Sequence, residues 1–66
     1  MDINKEVKLE YNKLLNRYNN GILYLEQNPN MLSKWGKELE KIMEDLSKLI
    51  VENSIPEEYI LKGFDV

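Results

Sequence analysis

The sequence predicts an all-α fold: an antiparallel two-helix hairpin with helices over about residues 3–27 and 29–53, plus a short C-terminal helix over about 56–62. Three observations carry this. Apolar residues recur at steps of three and four along two long stretches, which is the period of an amphipathic helix. One proline, Pro29, divides those stretches, and the other, Pro56, opens the tail. At 66 residues the chain makes a single helical domain.

The first helix carries Ile3, Val7, Tyr11, Leu14, Leu15, Tyr18, Ile22 and Leu25 on one stripe. In heptad terms Tyr11, Tyr18 and Leu25 take position a, while Val7, Leu14 and Gly21 take d. Asn19-Asn20-Gly21 has the composition of a turn, yet the stripe passes through it without a phase change. A turn there would have no reason to preserve phase, and a glycine inside a helix costs only about 1 kcal/mol relative to alanine. The reading is therefore one continuous helix.

Asn28-Pro29-Asn30 is the stop. Proline cannot donate a backbone hydrogen bond, and it pushes the preceding residue out of the helical region. Asn28 is expected to cap the second helix, with Pro29 at its first position. In that helix Leu32, Leu39 and Leu46 take a, Trp35, Ile42 and Leu49 take d, and Met43 and Ile50 widen the stripe at e. Ser54 and Glu57 have the spacing of a capping box, which would start the tail helix, and Gly63 would close it.

So short a connection makes the helices antiparallel. Pairing residues whose numbers add to about 60 gives Leu25 with Trp35, Gly21 with Leu39, Tyr18 with Ile42, Leu14 with Leu46 and Tyr11 with Leu49. One flank of the hairpin is then greasy, with Leu15, Ile22, Met43 and Ile50. The other is charged, with Glu10, Arg17 and Tyr24 against Glu38, Asp45 and Glu52. Trp35 is expected in the core, with Gly21 and Gly36 making room for its ring.

A core this small is marginal, and the chain has neither cysteine nor histidine to supply a disulfide or the usual zinc ligand. The expected remedy is a homodimer that completes a four-helix bundle, with the tail adding cover. The expected interface residues are Leu15, Ile22, Met43 and Ile50 on the greasy flank. Tyr24 joins them as an outward aromatic, and so do Leu9 and Val51 as outer apolar residues near the open end.

The same composition narrows the chemistry. Without histidine the commonest general base at neutral pH is missing, and no phosphate loop or serine-centred motif is visible. Glu40, Glu44 and Asp45 are close together but point outward. No enzyme activity, cofactor or metal is expected. The net charge of −3 argues against nucleic acid. A nucleic-acid-associated regulator would have to use Lys34, Lys37, Lys41 and Lys48 with Lys5, Lys8, Lys13 and Arg17. The glutamates interleaved with those lysines read instead as a solvated face. The sequence shows no membrane span and no signal-peptide layout, so a cytoplasmic location is expected. Eight asparagines and eight lysines beside one arginine suggest an AT-rich bacterial or phage gene. The function expected is a small non-enzymatic adaptor, regulator or inhibitor that binds an as yet undefined protein partner through a helix face. A structural subunit of a larger assembly is the other protein-binding alternative.

Overall fold

The computed structural model describes residues 3–65. Helix α1 spans Lys5–Gln27, a single 3-10 turn covers Pro29–Met31, α2 spans Leu32–Asn53 and α3 spans Glu57–Ile60. The molecule is a rod of 42 × 19 × 19 Å.

The start of α1 is set by Asn4, whose side-chain oxygen accepts from the Glu6 backbone N–H at 2.8 Å. The helix runs unbroken through Asn19-Asn20-Gly21. At Gly21 a Cβ would overlap Leu39 Cδ2, so the absence of a side chain is what lets Leu39 of α2 close on α1. This contact is the layer expected from the heptad register. The turn differs in one detail from the expectation. Asn28 makes no side-chain cap for the following helix. Its backbone N–H and its side-chain amide both donate back to the Tyr24 carbonyl, at 2.9 and 3.0 Å, so it closes α1 instead. Pro29 opens the next turn as expected.

The end of α2 overturns the expected capping box. Ser54 sits in the left-handed region, φ 50° and ψ 49°, as the C-cap of α2. The N–H groups of Ser54 and Ile55 both reach the Ile50 carbonyl. A residue in that conformation cannot also hold the extended geometry of an N-cap, and no side-chain cap bond starts α3. Helix α3 is correspondingly shorter than expected. Gly63, at φ 79°, closes it by donating to the Tyr59 carbonyl at 2.8 Å.

The core consists of Tyr11, Leu14, Leu39, Ile42, Leu46 and Ile55. Around it pack Leu15, Tyr18, Leu49, Ile50 and the tail residues Tyr59, Ile60 and Phe64. The tail is fixed to α1 by polar bonds as well. The Tyr11 hydroxyl donates to the Ile60 carbonyl at 2.7 Å. The Asn12 amide donates to the Phe64 carbonyl at 2.8 Å and accepts from the Phe64 N–H at 2.7 Å, so one side chain holds both backbone groups of one residue. The Phe64 ring stacks on Tyr59 with centroids 4.8 Å apart and meets Tyr11 edge to face. Burial pushes the Tyr11 phenol above its ordinary pKa.

Candidate interaction faces at the turn half

The tail reaches only the open half of the hairpin, where the two ends of the described chain lie. Its effect divides the greasy flank. Leu15 and Ile50 are half-buried and packed against the core, and Leu15 lies close to Gly63 of the tail. Ile22 and Met43, further toward the turn, are left 36% and 41% exposed. They line a depression of about 450 Å³ together with Leu32, Gly36, Glu40 and Glu44. Among the described residues, apart from Gly36's chain neighbours and its own helix backbone, a Cβ at Gly36 would meet only Leu32 Cδ1 of the same helix, at 3.6 Å, so the space above Gly36 is open. The charged residues of this depression are both glutamates.

The opposite flank of the turn half holds a second depression of about 500 Å³. Arg17, Asn20 and Tyr24 line it from α1, and Trp35, Glu38 and Ile42 from α2, with Gly21 and Leu39 between them. Here the expectation for Trp35 is corrected. The ring is not in the core but 40% exposed, beside Tyr24 at 45%. Its heptad position does point inward, but Leu39 takes the room that Gly21 leaves, and among the described residues no third element covers this end. Lys34 Nζ lies 5.6 Å from the Trp35 ring centroid. Leu32, at heptad position a, is 61% exposed for the same lack of cover.

Of the remaining expected interface residues, Leu9 and Val51 are exposed, on the outward sides of two different helices. Gly63 closes the tail helix as expected, and Phe64 is among the tail residues packed against the core. Sequence reasoning did not single out Asn12, whose side chain decides where the tail sits. Lys34, Lys37, Lys41 and Lys48 are all exposed on α2. Among the described residues no group of acidic side chains could hold a metal ion, and no helix is long and apolar enough to cross a membrane. No protein-family model matches the chain, and it matches no curated protein and no solved structure.

Proposed function

We propose that this protein is a small non-enzymatic interaction module, an adaptor, regulator or inhibitor, that receives a helix of another protein on the greasy flank of its turn half. The observation that carries the reading is the division of that flank. The tail covers Leu15 and Ile50, while Ile22, Leu32 and Met43 stay exposed around the open space at Gly36. Contiguous apolar surface of this kind marks contact sites, and a groove between two helices suits an amphipathic helix laid into it. The tail provides an internal precedent, since it lies along the same flank. Glu40 and Glu44 give the partner a sign: a helix with apolar anchors and flanking lysines or arginines complements them.

A labelled synthetic peptide of leucine and lysine, patterned as an amphipathic helix, is the probe. Fluorescence anisotropy is expected to show micromolar binding at low salt. Ile22→Ser with Met43→Ser should weaken it roughly tenfold through lost apolar contact. Glu40→Lys with Glu44→Lys should weaken it and flatten its salt dependence. Binding that both double variants leave unchanged would remove the groove from the account.

A further inference from the structure

We infer that the opposite flank, the depression between Tyr24 and Trp35, is where a second copy of this chain docks, hairpin against hairpin, about a twofold axis parallel to the rod. The surface is large enough for such a contact. The chain exposes 5209 Å², whereas a compact monomer of its 7.9 kDa mass would expose about 4,400 Å². The excess of about 800 Å² matches what one partner contributes to a standard interface.

The geometry selects this flank. The tail occupies the other flank over the open half, so a second hairpin cannot lie along its whole length there. The Tyr24 flank has no such obstruction from the tail contacts at Asn12 and Leu15. The Gly21–Leu39 contact fixes which residues of α1 and α2 stand at the same level, and it puts Tyr24 level with Trp35 across one depression. A twofold axis along that depression keeps levels and exchanges helices. Trp35 of each copy then meets Tyr24 of the other, pairing two residue types that dominate interface energies. By the same register Arg17 falls within one helical turn of Asp45 of the second copy, a pair opposite in sign, while Glu10 falls level with the space between Lys48 and Glu52. Each helix gains a second antiparallel neighbour, as in a four-helix bundle.

The test is sedimentation equilibrium on the full chain from micromolar to submillimolar concentration, with helicity followed by circular dichroism. The wild type is expected to dimerise. Arg17→Glu and Asp45→Arg should each raise the dimer Kd roughly tenfold, and the two together should restore most of the loss. Trp35→Ala should weaken the dimer with helicity retained. A wild type that stays monomeric throughout overturns the proposal. So does a charge-reversed pair no better than its single variants, or a dimer broken by Met43→Glu but indifferent to Trp35→Ala. The peptide-binding groove lies on the other flank and is read by anisotropy, so either result leaves that separate reading to its own test.

Discussion

The open half and the turn half of the hairpin are built on the same heptad pattern, yet they meet different fates. In the open half Tyr11, Leu14 and Leu46 are buried, because Ile55, Ile60 and Phe64 return to cover them. In the turn half Leu32 and Trp35 occupy equivalent inward positions and remain exposed. Two helices alone present a seam one residue wide, and a seam that narrow does not exclude water from a large side chain. Leu39 is buried by two helices alone because Gly21 lets it close on α1; for the larger inward residues the third element decides burial, and the half that lacks one is the half left available for contacts.

Three substitutions break or sharpen this contrast, measured by urea denaturation at concentrations low enough to hold the monomer. The largest effect is expected for Leu46→Ala, which opens a cavity under the tail and should cost about 3–4 kcal/mol. A loss below half of that would mean the open half is less tightly packed than its burial implies. Gly63→Ala is expected to cost about 2 kcal/mol, because alanine is strained at a positive φ. Its Cβ would also stand 2.6 Å from Asn12 Oδ1. It should loosen the tail first, with the hairpin keeping most of its helical signal. The smallest effect is expected for Trp35→Ala, under about 1 kcal/mol despite the size of the residue removed. A loss as large as that of Leu46→Ala would erase the distinction between the halves.

Much of the fold is legible in the sequence because helical periodicity is redundant. Ile22 and Leu25 continue the phase of Leu14 and Tyr18, and that continuity outweighs the turn-like composition of Asn19-Asn20-Gly21. The layer formed by Gly21 and Leu39 follows from the same count. Trp35 is misread because heptad position gives a direction and not a depth; whether an inward residue is covered depends on an element elsewhere in the chain. Ser54 is misread because its spacing to Glu57 is a local pattern competing with another local demand, the closure of α2, which takes Ser54 into the left-handed region. The Asn12 attachment to Phe64 joins residues 52 positions apart and leaves no periodic trace. Of the candidate faces, Ile22, Met43 and Tyr24 stand exposed where contact residues are expected, whereas Leu15 and Ile50 are largely taken up by the tail.

Ile3 and Asp65 line the same small depression with Tyr59 and Phe64. The described chain is therefore almost a ring, with its seam at the well-packed half and its sharpest bend at Asn28-Pro29-Asn30, where nothing is buried. Topologically the order of the elements is close to arbitrary: a short linker joining the two ends and a cut at the bend would give a chain of rearranged order with the same core. What the native order provides is economy of search. The hairpin closes locally across a few residues, and the tail then docks onto a surface already formed.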